Sequence, residues 1–413
     1  MFHIGSRPSS TSTGIAVVAA SLMAIGVIMV FSATASLTSP PITQNPLTNS
    51  SFRQAMFAVA ALIGLLLVGL MPYEWWRIRP SGLFQPAIWL MILAVGLQVA
   101  VYAVGHERKG ATRWLSLGGL SFQPSEVAKL AVVVFFAAYC SRYRERVPRF
   151  WTGLLPALLI LGGVVALVGR EDFGTAVLLL AVGGCILLAG GARIWHLCLL
   201  SLPAMAGLVY LVLSKTHRVE RITTFLNPDA DPQGTGYQAI QSLISIASGG
   251  WMGRGLGQGI QKYDYLPEAH NDFIFSVICE ELGIIGGAAV ILLFVVLVWQ
   301  GRKAMLAAST EFGRLLALGA TTTIGFQAAL NIAVVTVSVP TKGIGLPLVS
   351  AGGTGVVFLG ILTGLLVNVA RIRDPVLARQ IPRRAGAEGP PVVAVQEPPA
   401  TVSSSVETTP TAA

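Results

Sequence analysis

Hydrophobic and polar residues alternate along this chain in long blocks. Apolar runs of about 20 residues, long enough to cross a bilayer as an α-helix, recur from one end to the other. Shorter polar segments separate them. The pattern therefore predicts an all-α polytopic membrane protein with about ten transmembrane helices, at 14–36, 57–71, 83–104, 127–140, 154–168, 175–190, 197–213, 273–299, 315–337 and 356–369.

The polar segments define the domain organisation. Residues 1–13 are predicted to be an N-terminal tail, and residues 374–413, rich in Pro, Ala, Val, Thr and Ser, a disordered C-terminal tail. Between them, 14–373 is predicted to be one membrane domain. The longest internal polar segment, 214–271, predicts a large loop between helices seven and eight. Inside that loop, apolar residues at helical spacing over 240–247 predict an amphipathic helix at the membrane interface.

Composition supports the same class of protein. Hydrophobic residues make up 54% of the chain and charged residues 11%, which is far more apolar than a soluble domain requires. The net charge of +9 fits cytoplasmic loops facing anionic lipid, so we do not expect a nucleic-acid partner. The four cysteines lie in or beside apolar runs without metal-ligand spacing, which predicts free thiols.

A glycine-rich run at 249–259 imitates a nucleotide-binding loop. It contains six glycines. A phosphate-binding glycine loop follows a strand, and no strand is predicted before this run. The sequence therefore does not support nucleotide binding.

The basic residues of the loops predict the orientation. Ten spans place both termini on one side, and that side carries 16 of the 28 Lys and Arg residues. The short turns at 72–82 and 141–150 are more basic than the short turns opposite them. Both termini are therefore predicted to be cytoplasmic. The 12 basic residues on the other face fit either an anionic ligand or pairing with the ten acids from Glu107 to Asp272.

An unusual polar stretch enters the eighth predicted helix. Glu268, His270 and Asp272 crowd its start, and Glu280 and Glu281 follow further in. Lipid cannot solvate a carboxylate, so acids at a helix mouth indicate a functional site, although a polar collar that only ends the helix is the alternative.

Asp272 is the best candidate for a general base. It is the last charged residue before Phe273 enters the membrane, and apolar walls would strip its water and raise its basicity. Glu268, four residues earlier, would orient Asp272 or a metal ion if the helix begins early. His270 would lie on a different face.

Three loops on the same side bring other candidate site residues to the membrane surface. They supply cations, an aromatic ring, a hydroxyl and carboxylates: Arg113, Trp114, Glu268, Asp272, Lys342 and Ser350. A carboxylate base ringed by cations suits group transfer from a diphosphate, because the cations stabilise the leaving group. Trp114 fits either stacking on a sugar or anchoring at the interface. Lys129 lies three residues after Glu126, where it either neutralises that acid or binds the diphosphate.

At these residues the chain resembles the SEDS (shape, elongation, division and sporulation) family over about 14–375. The resemblance rests on short motifs in a fixed order: Gly110-Ala-Thr-Arg-Trp114, Phe122-Gln-Pro-Ser-Glu126, Asp172-Phe-Gly-Thr175, Gln261-Lys-Tyr-Asp-Tyr-Leu-Pro-Glu-Ala-His270, Asp272-Phe-Ile-Phe275 and Pro340-Thr-Lys-Gly343. The runs at 265–270 and 340–343 look like the division members of the family. The chain departs from the family at Asn271, commonly Thr, and at Ser350-Ala-Gly-Gly-Thr-Gly355, where the family has Ser-Tyr-Gly-Gly-Ser-Ser.

The resemblance implies a peptidoglycan glycosyltransferase of the bacterial cytoplasmic membrane that acts in cell division. Lipid II would be both donor and acceptor, and glycan strands would grow on the outer face. The family's essential aspartate falls on Asp272. The resemblance also implies a class B penicillin-binding transpeptidase as partner and a divalent cation, Mg²⁺ or Mn²⁺.

Other functions compete with this one. A flippase for a lipid-linked precursor would also use many spans and buried charges. It needs polar groups along its whole path, whereas here they cluster near one mouth, and spans one, three and ten are almost uncharged. An elongation-type polymerase and a non-catalytic division scaffold are the remaining alternatives.

Overall fold

The structure, a computed structural model, describes residues 9–34, 50–78, 85–108, 111–117, 120–214, 216–234, 236–260 and 266–371. Most of the predicted N-terminal tail and all of the predicted C-terminal tail lie outside these residues. The helices of the described part are α1 (Ser10–Thr34), α2 (Ser50–Leu70), α3 (Pro86–Val104), α4 (Pro124–Arg142), α5 (Leu155–Glu171), α6 (Phe173–Ala189), α7 (Ile194–Leu213), α8 (Thr216–Leu226), α9 (Tyr237–Gly249), α10 (Ile274–Leu306), α11 (Glu311–Val335) and α12 (Thr354–Arg371). The strands are β1 (His106–Arg108), β2 (Ala111–Leu117) and β3 (Leu120–Phe122).

The predicted polytopic helical architecture is confirmed. In the described part of the chain, nine helices are long and apolar enough to cross a membrane. α6 is equally apolar but has only 17 residues. With α6 included, these helices correspond one for one to the ten predicted spans, and most extend a few residues beyond the apolar run. All four cysteines are free thiols, as predicted.

α4 lies at the centre of the bundle. Every residue from Pro124 to Cys140 is buried, and the helix packs against α3, α6 and α11. A proline suits the first turn of a helix because its missing N–H would have no partner there. A helix enclosed in this way holds charges only as pairs. Lys129 and Glu126 form such a pair, with 2.8 Å between the Lys129 Nζ and Glu126 Oε1 atoms.

α2 and α12 pack backbone to backbone. A Cβ atom at Gly360 would lie 2.5 Å from the Ala61 carbonyl oxygen, and one at Gly364 would lie 2.6 Å from that of Leu65. Two glycines four residues apart form a smooth strip along one face of α12. The strip lets α2 approach closely, and this contact places the start of α2 beside the start of α12.

The predicted large loop between the seventh and eighth spans contains two helices, α8 and α9. α9 is amphipathic, as the sequence predicted, and its location at a membrane interface stays a prediction. Its serine face is buried: the Ser242 hydroxyl lies 2.7 Å from the Ser276 hydroxyl of α10 and donates to the Val335 carbonyl of α11 at 2.7 Å. Leu243 and Ile244 are on its exposed face. The serine hydrogen bonds therefore hold α9 against the bundle, and its apolar face points outward.

The polar segment before α4 folds as a small antiparallel sheet. Its strand order is β1-β2-β3. In the β1–β2 pair His106 is opposite Trp114, and in the β2–β3 pair Leu115 is opposite Phe122. The β-branched and aromatic residues of β2 favour a strand. The middle strand, β2, carries Arg113 and Trp114 and contacts α4.

α10 is interrupted at Gly283, whose backbone (φ 73°, ψ −177°) is non-helical and accessible mainly to glycine. The glycine-rich run packs against this interruption. Its backbone N–H groups donate to buried carboxylates, from Gly257 to Glu281 at 2.9 Å and from Ile260 to Glu280 at 2.8 Å. The Ser32 hydroxyl of α1 donates to Glu281 at 2.7 Å. The loop that imitates a nucleotide-binding motif therefore binds the protein's own carboxylates.

Candidate functional site

A cavity of about 570 Å³ opens at the end of the bundle where α2, α4, α6, α10 and α12 begin. All seven predicted site residues line it: Arg113, Trp114, Lys129, Glu268, Asp272, Lys342 and Ser350. Glu280 and Glu281, which the sequence grouped with Asp272, lie in the glycine-loop contact and are not among the residues that line it. The prediction that three separate loops meet at one place is confirmed by this geometry.

Asp272 and Arg113 meet beside Gly343. A Cβ atom built on Gly343 would lie 3.2 Å from an Asp272 carboxylate oxygen and 3.9 Å from an Arg113 guanidinium nitrogen. Asp272 itself is half-buried, and the following residues, Phe273 and Ile274, are buried. A carboxylate and a guanidinium thus share one wall of the cavity, and an apolar wall begins immediately below the carboxylate.

Lys342 occupies the same wall. Its Nζ atom lies 4.7 Å from the centre of the Phe173 ring. The Arg218 guanidinium of α8 lies 5.8 Å from the centre of the same ring. The Phe173 ring therefore contacts both cationic groups, and because the ring carries no net charge, it does not neutralise them.

The cationic groups are crowded. Burial lowers the pKa of Lys342 below its ordinary value, although attraction to Asp172 opposes the shift. Arg221 is exposed at its surface, but desolvation by the neighbouring protein lowers its pKa and repulsion from Arg113 adds to this, while attraction to Asp272 and Asp172 opposes it. An arginine with a lowered pKa is still charged at neutral pH. A bound anion would relieve the repulsion among these groups, so the wall suits a phosphate or diphosphate.

Arg221 and Asp172 were not predicted as site residues. Arg221 lies on α8, and its guanidinium donates to the Thr341 carbonyl, next to Lys342, at 3.4 Å. Asp172 caps α6: its carboxylate accepts from the Thr175 backbone N–H at 3.1 Å and from the Thr175 hydroxyl at 2.8 Å. The signal for Asp172 was the Asp172-Phe-Gly-Thr175 run, which has the spacing of a helix cap. Arg221 had no signal beyond its charge.

The floor of the cavity is polar and neutral overall. Besides its pairing with Glu126, Lys129 donates to the Gln327 side-chain oxygen of α11 at 2.9 Å. The other Glu126 oxygen, Oε2, is buried and has no hydrogen-bond partner among the described residues. A Cβ atom at Gly355 would lie 3.2 Å from the Glu126 carboxyl carbon. Lys129 thus pairs with Glu126, which is one of the two roles that the sequence left open for it, and one carboxylate oxygen is left for a ligand.

Glu268 and Ser350 have local roles that the sequence did not predict. α10 begins only at Ile274, so Glu268 is not one helical turn before Asp272 as the early-helix reading required. Glu268 has a left-handed backbone (φ 59°) and accepts from the Asn271 amide at 2.7 Å. The buried Ser350 hydroxyl accepts from the Leu346 backbone N–H at 2.6 Å, which closes the turn after Lys342. Both residues shape the two loops that carry Asp272 and Lys342.

The cavity does not resemble a metal site held by the protein alone. Within the ranges that the structure describes, no three His, Cys, Asp or Glu side chains are grouped closely enough to hold a metal ion. The carboxylates of Asp172 and Asp272 share their wall with Arg113, Arg221 and Lys342. The divalent cation implied by the family resemblance stays a prediction.

Fold and cavity together define a polytopic membrane protein with a charge-lined cavity at one end of its helical bundle. The chain belongs to the FtsW/RodA/SpoVE family: the family model, described as "Cell cycle protein", matches residues 12–374. The membership confirms the family resemblance seen in the sequence, and it makes this a multi-pass protein of the bacterial inner membrane.

Curated relatives and solved structures agree with this assignment. A probable peptidoglycan glycosyltransferase FtsW from Geobacter sp. (strain M18) is 38% identical over 84% of this chain and 94% of its own length. Stage V sporulation protein E from Bacillus subtilis (strain 168) is 38% identical over 85% of this chain and 94% of its own. A chain of a solved peptidoglycan synthase complex superposes with a TM-score of 0.67 at 29% identity, covering 87% of this chain and 97% of that one. Thermus thermophilus RodA superposes with a TM-score of 0.62 at 26% identity, covering 87% and 96%.

Proposed function

We propose that this chain is a peptidoglycan glycosyltransferase that polymerises lipid II into glycan strands during cell division. The observation that carries the proposal is the wall beside Gly343, where a carboxylate and a guanidinium face the same space. The names of the relatives support the reaction class, and the FtsW relatives support division over elongation. The stage V sporulation relative at equal identity makes sporulation-linked synthesis the second candidate.

In this proposal the cavity opens on the outer face of the membrane and both described ends of the chain are cytoplasmic. The supporting observation is charge: at the end away from the cavity, the last residue of α4 and the turn that follows carry Arg142, Arg144, Arg146 and Arg149. Reporter fusions after Arg371 and at Gly234 test the orientation. Reporters on the same side of the membrane would contradict it.

The chemistry assigned to the cavity is glycosyl transfer with a diphosphate leaving group. The Asp272 carboxylate takes the proton from the acceptor hydroxyl as that oxygen forms a bond to the donor's anomeric carbon. The bond between that carbon and the diphosphate oxygen breaks, and the diphosphate leaves with the electron pair. Arg113, Arg221 and Lys342 stabilise the negative charge that develops there. No step is assigned to a metal ion.

The distribution of polar groups favours an enzyme over a flippase. α4 runs the length of the bundle, and from Leu130 to Cys140 it presents only apolar side chains and one tyrosine, Tyr139. The Tyr139 hydroxyl donates to the Gly153 carbonyl at 2.7 Å, so this hydroxyl is engaged within the protein and does not line a transport path for a lipid-linked substrate. The charged groups of the cavity therefore end at its floor. This suits a substrate that reacts at the membrane surface and does not cross.

A class B penicillin-binding transpeptidase is the partner we propose. The supporting observation is the similarity to a chain of a peptidoglycan synthase complex whose description joins polymerization and crosslinking. Co-purification of the tagged chain with the transpeptidases of its host tests the proposal. Recovery of the folded chain without any transpeptidase under mild detergent conditions would contradict it.

The decisive experiment is polymerisation of lipid II by the purified chain in liposomes, with its transpeptidase present. Asp272→Asn keeps the side-chain shape and removes the base, and loss of a general base costs about 10²–10⁴-fold in rate. We expect Asp272→Asn to fold, insert and bind its partner while making almost no glycan. Substantial polymer from folded Asp272→Asn protein would remove Asp272 as the base. Lipid transfer between leaflets by wild-type protein without polymer would favour the flippase.

A further inference from the structure

Two side-chain amides on α11, Gln327 and Asn331, connect the segments that carry the reactive groups. They are four residues apart, so they lie on one face of the helix, one turn from each other. Asn331 is fully buried and Gln327 is 5% exposed. Neither is charged.

Asn331 ties the Asp272 segment to the Lys342 loop. Its side-chain nitrogen donates to the Asp272 carbonyl at 2.7 Å and to the Ile344 carbonyl at 2.7 Å. An NH₂ group has two donors, and both are used here. The two carbonyls dictate the orientation of the amide, because only its nitrogen can donate. The backbone of Asp272 and the residue two after Lys342 are therefore linked through a single atom.

Gln327 extends the connection to the floor of the cavity. Its nitrogen donates to the Gly345 carbonyl at 3.0 Å, and its oxygen accepts from the Lys129 ammonium at 2.9 Å. Lys129 in turn pairs with Glu126 at 2.8 Å. The two amides thus hold consecutive carbonyls of the Lys342 loop, at Ile344 and Gly345.

The segments they join have no regular structure of their own. Residues 267–273 are turns before α10, and residues 340–353 are a loop between α11 and α12. A second link between the same two segments, from the Ala351 N–H to the His270 carbonyl at 3.0 Å, lies further along the loop. α11, by contrast, is a regular helix packed against α4, α6 and α10. It is the regular element to which both irregular segments are attached.

We propose that Asn331 and Gln327 are positioning residues that keep Asp272 in register with Lys342 and Lys129. The inference rests on the proposed glycosyl transfer, in which the base and the diphosphate-binding cations act on one substrate pair. A displacement of about 1 Å between such groups costs about 10²-fold in rate. Loss of the amides therefore reduces the rate of transfer in protein that still folds and binds.

A matched control exists in α12. Asn368 is also buried and also bridges backbone groups: its nitrogen donates to the Gly69 carbonyl at 2.9 Å, and its oxygen accepts from the Tyr73 N–H at 3.0 Å. It is outside the residues that line the cavity. Asn331→Ala and Asn368→Ala therefore remove the same kind of group from the same kind of surroundings. Only the first is connected to Asp272.

The test compares thermal stability, kcat and KM for lipid II in wild-type, Asn331→Ala, Asn331→Ser and Asn368→Ala proteins. We expect both alanine variants to melt earlier. Among folded molecules, Asn331→Ala should lose about 10–100-fold in kcat with KM within about threefold, while Asn368→Ala keeps the wild-type kcat. Asn331→Ser, which retains one donor, should recover part of the loss.

The inference is overturned if Asn331→Ala and Asn368→Ala have equal kcat, or if the Asn331 variants change KM alone. Should Asn331→Ala fail to fold, Gln327→Met, which keeps the volume and removes both hydrogen bonds, takes its place. Failure of both variants to fold would show a purely structural role and also overturn it. A wild-type protein that does not polymerise lipid II would instead contradict the proposed function, so the two failures are distinguishable.

Discussion

Gly343→Ala is the sharpest test of how the cavity is built. The added methyl would lie 3.2 Å from an Asp272 carboxylate oxygen, which is closer than most Cβ contacts in proteins, and 3.9 Å from an Arg113 nitrogen, which is an ordinary contact. The methyl therefore presses on the carboxylate and leaves the guanidinium almost undisturbed. Gly343 is not among the glycines with a positive φ, so alanine fits its backbone without strain.

The expected magnitude follows from the geometry. Relief of the contact requires the carboxylate to move by about 0.3 Å, and if 1 Å costs about 10²-fold in rate, that displacement costs about fourfold. Lipid II binding should change less, because the cations stay where they are. The assay is the initial rate of polymerisation in liposomes, with kcat and KM determined separately.

Gly352→Ala is the matched control. Gly352 lines the same cavity, but a methyl there would approach other atoms only to 3.8 Å, at Val356. If Gly343→Ala lowers the rate only by displacing the Asp272 base, the double variant Gly343→Ala/Asp272→Asn should polymerise no more slowly than Asp272→Asn alone. Wild-type rates for Gly343→Ala, or equal losses for both alanine variants, would refute the placement of Asp272 beside Gly343.

Two further predictions concern Lys342 and the buried carboxylate of Glu281. Burial lowers the pKa of Lys342, so its ammonium group should lose its charge at a lower pH than a free lysine does. Diphosphate binding should therefore weaken as the pH rises through that pKa. Lys342→Arg should extend activity to higher pH, and identical pH–rate profiles for the variant and the wild type would contradict this. Glu281→Ala should destabilise the folded protein by about 2–6 kcal/mol, because the buried Ser32 hydroxyl and the partly buried Gly257 N–H each lose an acceptor worth about 1–3 kcal/mol. Heating in detergent measures this loss, with Ser32→Ala as the smaller single-bond comparison, and an unchanged melting temperature would exclude the contact.

The spans were predictable from the sequence because membrane crossing imposes one physical requirement, a long apolar run. The convergence of the loops at Asp272, Arg113 and Lys342 was predictable for a related reason. Lipid cannot solvate charged side chains, so those near the membrane must face water or one another. Each of these residues lies in a polar segment that leads into an apolar run.

The partners of the buried polar groups were not predictable in this way. Glu281 lies inside α10, which begins just after Asp272, yet its donors come from Ser32 and from the glycine loop. Asn331 lies inside an apolar span with no charge to mark it, and its importance appears only when two distant carbonyls converge on its nitrogen. Arg221 shows the same limit, because only tertiary packing brings α8 beside Thr341.

The hydrogen bond between Ser32 and Glu281 also bears on when the helical bundle can be completed during synthesis. The two residues are 249 positions apart. At about 5–20 residues per second, the ribosome needs about 12–50 s to produce Glu281 after Ser32. A second bond, from the Ser9 hydroxyl to the Ala370 carbonyl, spans 361 positions. The first helix to leave the ribosome is thus completed by nearly the last residues of the bundle. Until Glu281 and Ala370 have been synthesised, α1 lacks hydrogen-bond partners that it has in the folded bundle.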